Sequence, residues 1–269
     1  MDHFQIAIGY LLVIFGTFLP LPYIRLVYIF LTQRQYRTLE CYRIMVQIGI
    51  LQLMSAPSTI LNGLVHILNS DPAGLATIAH KIHTGAVLIE GCLSLILALN
   101  RLKIICSLHY SKYVHLTLIS AAYIYGFAFL IIDLTPVSGL SIVPGSYVGH
   151  YDFSKPYAYI SLKITAISIE TCYAGTLVVY LTLIGYMFWF RQKSSQVLSH
   201  ANERNVFLFA LIRFIFEASI ALVFGFVHVE GKMNVLVSMC YLFNNFLLTP
   251  ILYLTLHSED PDRKELIAR

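Results

Sequence analysis

Residues Ala76–Lys103 read ATIAHKIHTGAVLIEGCLSLILALNRLK, and their reading decides the fold. The run is long enough to cross roughly 30 Å of hydrocarbon, which takes about 20 apolar residues as a helix. It is not uniformly apolar. His83, Val87, Glu90, Ser94, Leu97 and Arg101 alternate in steps of three and four, so they lie on one stripe of a helix. Charged groups facing lipid are costly, so that stripe points into a bundle of helices rather than outward.

The rest of the chain agrees. Of 269 residues 58% are hydrophobic and 12% charged, with mean hydropathy +0.73. Soluble chains carry about 25% charged residues, so a soluble domain is excluded and a polytopic, all-α membrane protein is indicated. Seven spans are expected, approximately 4–31, 44–68, 76–105, 113–134, 157–190, 205–229 and 233–257. Together they make a single seven-helix domain over 1–269, with 258–269 as a short tail. The first span is expected to be a retained signal anchor. The five cysteines sit in or beside apolar spans without metal-ligand spacing, which argues against a disulfide framework. No internal repeat appears, which weighs against a transporter built from duplicated halves.

Basic residues orient the spans. Arg34, Arg37, Arg43, Arg101, Lys103, Lys112, Arg191, Lys193, Arg204, Arg263, Lys264 and Arg269 fall at one face, and only Lys155 and Lys232 at the other. By the positive-inside rule the first face is cytoplasmic, the N-terminus outside and the C-terminus inside. The longest outer connection, 135–156, places two short β-prone runs around Pro144-Gly145, which suits a small hairpin lid as well as an irregular loop.

Arg101 ends the third span and has two readings: an anchor snorkelling to the headgroups, or an inward arginine with a signalling role. The stripe favours the second. In the seventh span, Asn244-Asn245-Phe-Leu-Leu-Thr249-Pro250-Ile-Leu-Tyr253 puts a proline kink three residues before a tyrosine. Arg213 and Glu217, one turn apart in the sixth span, form a candidate intramembrane ion pair, and Glu90 or Glu217 is a candidate partner for an arginine across the bundle. Lys81, His83, Glu90, Lys163 and Glu170 are candidate pocket residues. If Lys81, His83 and Lys163 converge, the pocket is basic and suits acidic ligands. His80 and His83 are three apart but lack an evident third ligand, so interfacial solvation is the simpler account and no metal or other cofactor is expected. The 18 tyrosines and 17 phenylalanines suit interfacial belts and helix packing.

The seven spans, the Asn100-Arg101 pair and Thr249-Pro250-Ile-Leu-Tyr253 resemble the rhodopsin-like G-protein-coupled receptor plan. Cys41-Tyr42-Arg43-Ile44-Met45 with Ile48-Gly49-Ile50, the Leu97–Arg101 run, and Tyr253-Leu254-Thr255-Leu256 are similar to nematode serpentine chemoreceptors of class T, with classes X and XA nearby. The resemblance implies a chemosensory receptor in the plasma membrane of sensory neurons, not an enzyme. It would bind a small molecule outside and activate a heterotrimeric G protein inside. Asn100 and Arg101 would hold the resting state and meet the G protein, and Pro250 and Tyr253 would form a switch. The chain departs from the general plan at Gln52, where an aspartate is usual, at Leu102, where a tyrosine is usual, and in having no outer disulfide cysteines. The rivals are a transporter or channel, and a seven-span membrane hydrolase, although the histidines scatter between the two faces. A retinal protein would need a lysine within 233–257, and there is none.

Overall fold

The computed structural model describes residues 3–109, 111–193, 211–220 and 232–251. In chain order the elements are α1 (His3–Phe18), α2 (Pro20–Thr32), the single turn α3 (Arg34–Arg37), α4 (Glu40–Leu53) and α5 (Ser55–Leu68). Then follow α6 (Leu75–Ile105), α7 (Lys112–Leu134), the strands β1 (Leu140–Ser141) and β2 (His150–Tyr151), and α8 (Ala158–Lys193). Residues 211–220 are helical (α9), and α10 (Lys232–Phe243) runs into a π-helical turn at Asn244–Leu248.

Several of these breaks are kinks within one span. Leu19 keeps helical angles between α1 and α2, where Pro20 and Pro22 lack amide donors, and the two helices together form a membrane-length unit, His3–Thr32. Met54 likewise joins α4 to α5, with its amide donating to Leu51 O at 3.1 Å, three residues before Pro57. Around this joint Ser55 Oγ donates to Gln52 O at 2.7 Å and Thr59 Oγ1 to Ser55 O at 2.8 Å, so both hydroxyls are satisfied by backbone carbonyls of their own span. Pro250 follows a π turn at Asn244–Leu248, a common way to absorb a missing backbone bond.

Six helices among the described residues are long and apolar enough to cross a membrane: His3–Thr32, Glu40–Leu68, Pro72–Ile105, Tyr113–Leu134, Ala158–Met187 and Met233–Ile251. Their outward surfaces carry large bare hydrophobics, among them Ile124 at 70% and Ile131 at 68% exposure. An apolar surface of that extent needs lipid around it. This is a multi-pass membrane protein. The sixth expected span is described only at 211–220.

α6 is the central helix, packed against α4, α5, α7 and α8. Its end nearest the hairpin is capped by Asp71, whose carboxylate accepts from the amides of Ala76 and Thr77, each at 3.0 Å. Tyr23, Ile44, Ile48, Leu93 and Phe246 are at the heart of the packed core beside it.

The 135–156 connection is a hairpin. Leu140 pairs with Tyr151 and Ser141 with His150, while Pro144-Gly145 sits in the loop between the strands. The strands are shorter and farther apart than the two β-prone runs suggest, and the loop between them bonds to the bundle as well as to itself. Ile142 N donates to Thr77 Oγ1 at 3.1 Å, Gly145 N to His66 Nδ1 at 3.2 Å, and Ser238 Oγ to Tyr147 O at 3.2 Å. Tyr147 packs its ring on His66 at 4.6 Å between centroids. The loop is therefore fastened to three helices as a lid.

Candidate functional site

Beneath the lid lies a cavity of about 450 Å³, within the range of small-molecule sites. α6 supplies His80, His83, Val87 and Glu90 to it, α8 supplies Glu170 and Tyr173, α9 supplies Glu217, and α10 with its π turn supplies Tyr241, Asn244 and Asn245. Tyr147 and Tyr151 come from the lid. Burial pushes the Tyr151 phenol up to about 12, so it lines the cavity as a neutral group.

The cavity floor is a chain of buried polar groups. Tyr23 OH donates to Gln52 Oε1 at 2.5 Å, and Gln52 Nε2 donates to Glu90 Oε1 at 2.6 Å. Arg213 Nη2 donates to the same Glu90 oxygen at 3.1 Å, and Arg213 Nε to Glu217 Oε1 at 2.6 Å. Asn245 Oδ1 takes longer bonds, 3.4 Å each, from Gln52 and Asn244. His83 Nε2 and Tyr241 OH are 3.0 Å apart. The chain links α2, α4, α6, α9 and the π turn through residues at 9% exposure or less. With water excluded, each missing partner costs the full desolvation of the group left behind.

Below the floor a void of about 20 Å³, lined by Ser94, Leu97, Tyr180 and Arg213, leaves room for one water. Arg101 follows on the same stripe, only 4% exposed, with its guanidinium electrostatically linked to the Cys41 thiol and the Tyr180 phenol. Among the described residues its Nε and Nη2 have no hydrogen-bond partner. Asn100 does not serve Arg101. Its Nδ2 donates to Glu40 Oε2 at 2.9 Å, and Glu40 Oε1 lies 3.2 Å from His115 Nδ1. Lys103 Nζ stands 4.0 Å from Glu40. Glu40 lies in the first turn of α4, where the helix dipole favours a negative charge.

No family model matches this chain, and no curated protein does. Solved structures do match, among them squid rhodopsin, over 100% of this chain and 85% of that one, with a TM-score of 0.65 at 12% identity. The fold is rhodopsin-like. At that identity the likeness concerns the path of the chain and not the chemistry of its sites.

Within this rhodopsin-like fold His83, Glu90, Glu170 and Glu217 come together around one cavity. Lys81 and Lys163 do not join them. Lys81 and His83 are two residues apart, about 200° around a helix, so Lys81 faces away, its Nζ donating to Ser138 Oγ at 3.2 Å and feeling the charge of Asp133. Lys163 is exposed, its Nζ 4.6 Å over the Tyr159 ring one turn back. A basic pocket is therefore not formed: carboxylates line the cavity. Pro250 is buried beside the π turn, and Tyr253 and the 258–269 tail lie outside the described residues. Among the described residues no three His, Cys, Asp or Glu side chains stand close enough to hold a metal ion.

Glu40, Tyr23 and Gln52 are central here and were not legible as site residues. Glu40 follows an arginine-rich loop and looks like part of it. Gln52 stands out in sequence only as a departure from aspartate.

Proposed function

We propose that the chain is a seven-span G-protein-coupled chemosensory receptor, its N-terminus and hairpin outside and its Arg101 end in the cytoplasm. One observation carries this reading: a single helix, α6, lines a cavity under the hairpin at one end and buries an arginine at the other, with Glu90 and Ser94 on the same stripe between them. A ligand under the hairpin touches Glu90, His83 and the α9 and α10 residues. The same helix positions Asn100 and Arg101 for a heterotrimeric G protein. A ligand that fits an inward-open arrangement better shifts the population toward it. Pro250 and Tyr253 form the switch in the last span. Residues 211–220 belong to the sixth span, and 1–269 is one receptor domain. The motifs around Cys41, Asn100 and Tyr253 favour a nematode serpentine receptor of class T in the plasma membrane of sensory neurons.

Expression in a heterologous cell with a ligand library and a G-protein readout tests the reading. At least one ligand should raise nucleotide exchange, and Arg101→Ala should abolish the response with surface expression near wild type. An unchanged response in Arg101→Ala would reduce Arg101 to an anchor.

A further inference from the structure

The cavity's charge is lopsided. Three carboxyl side chains line it, Glu90, Glu170 and Glu217, and among the described residues the one guanidinium bonded to any of them is that of Arg213. Two carboxyl groups share that guanidinium, so the Glu90–Arg213–Glu217 triad carries an excess negative charge when both are ionised. Glu170 adds another. It has neither a salt bridge nor a hydrogen bond among the described residues, although it sits near the middle of the Ala158–Met187 span. An unpaired charge at that depth is expensive and calls for a partner. The two nearby lysines are bound elsewhere, as shown above.

A second, independent observation concerns uncharged groups. Asn62 and Asn244 line the cavity at 9% exposure or less, and their Oδ1 atoms are buried without any hydrogen-bond partner among the described residues. Both are acceptors. Buried acceptors without donors are rare, and here they share a cavity with spare carboxylate. Tyrosine rings complete the walls, and aromatic faces attract cations.

We propose that this cavity binds a small organic cation, a protonated amine on an apolar, ring-bearing body. Glu170 and the Glu90–Glu217 pair are its counter-charges, and the Asn62 and Asn244 carbonyls accept its N–H groups. The proposal rests on the cavity being the ligand site of the receptor reading and names the chemical class of that ligand. An inorganic cation alone would leave most of the apolar volume empty.

The test uses the full chain in lipid nanodiscs and reads ligand-induced thermal stabilisation, without any G protein. The probes are tryptamine, its neutral isostere indole-3-ethanol and the anion indole-3-acetate, with 2-phenylethylamine as a smaller amine. An amine should bind at least about tenfold tighter than the alcohol, the equivalent of roughly 1.4 kcal/mol, and the acid should bind worst. Glu170→Gln, which breaks no hydrogen bond or salt bridge among the described residues, should reduce that amine preference several-fold, and Glu217→Gln should act in the same direction. Equal binding of amine and alcohol would overturn the proposal, because it would mean that the carboxyls are neutral acids. Failure of both amines to bind at millimolar concentration, or an amine preference untouched by either variant, would overturn it as well. Amine binding without nucleotide exchange would sink the receptor reading and leave this one standing. Nucleotide exchange driven only by neutral ligands would do the reverse.

Discussion

α6 and α7 are neighbours of nearly equal hydropathy, yet 56% of the apolar window in the first span is buried within the protein and only 22% in the second. α7 meets the bundle along one stripe, His115, Ala122, Gly126, Phe129 and Asp133, whose steps of seven, four, three and four mark a single contact face. α6 is enclosed on most sides. Hydropathy alone cannot separate these cases, because lipid and protein interior are both apolar. Polar side chains separate them. α6 carries ionisable side chains along its length, whereas the buried ionisable side chains of α7, His115 and Asp133, sit near its two ends.

That contrast can be broken most severely at the triad. Arg213→Met leaves two buried carboxylates without their cation, and removing one partner of such a pair costs about 3–5 kcal/mol. Detergent-solubilised variant should show a large fall in thermal stability or no folded protein at the surface. Wild-type stability would mean that the carboxyls are not charged in the folded state.

A charge moved to the wrong helix is next. Ile124→Glu puts a carboxylate on the lipid face of α7, where a central charge costs about 2.5–3.5 kcal/mol to insert. Surface expression should fall steeply, although Glu90 is tolerated at a comparable depth on α6. Normal expression would show that α7 faces protein there.

The contact between the two helices gives a smaller effect. A Cβ at Gly126 would overlap the Ile89 side chain and come within 3.4 Å of Gly85 O. Gly126→Val should destabilise by about 1–3 kcal/mol through overpacking. Gly185→Ala on α8 meets nothing within 4 Å, and should be neutral or slightly stabilising in melts. Reversal of that order would misplace α7 against α6.

The stripe on α6 was legible because polar residues at helical spacing are rare in a membrane span. The stripe on α7 was not, since Ala122, Gly126 and Phe129 are as much at home against lipid as against protein. Spacing also failed for the pocket's sign. Lys81 and His83 are adjacent in the eye but opposite on the helix, and a long lysine stem lets Lys163 lie back on Tyr159. The hairpin's position was legible from Pro144-Gly145. Its fastening through Thr77, His66 and Ser238 was not, because each of those bonds joins residues at least 65 positions apart in the chain.

Cysteine accessibility along the two helices tests the central claim most directly, namely that the polar face of α6 lines a water-reachable cavity while the barest surface of α7 faces lipid. In a background with the native cysteines replaced, Val87→Cys and Thr84→Cys on α6 are compared with Ile124→Cys and Ile131→Cys on α7, using a membrane-impermeant thiol reagent on intact cells. The half-buried α6 positions should react, and an amine that occupies the cavity should protect them. The α7 positions, at 70% and 68% exposure in the isolated chain, should stay unlabelled. Labelling at Ile124 and Ile131 with none at Val87 and Thr84 would contradict the account.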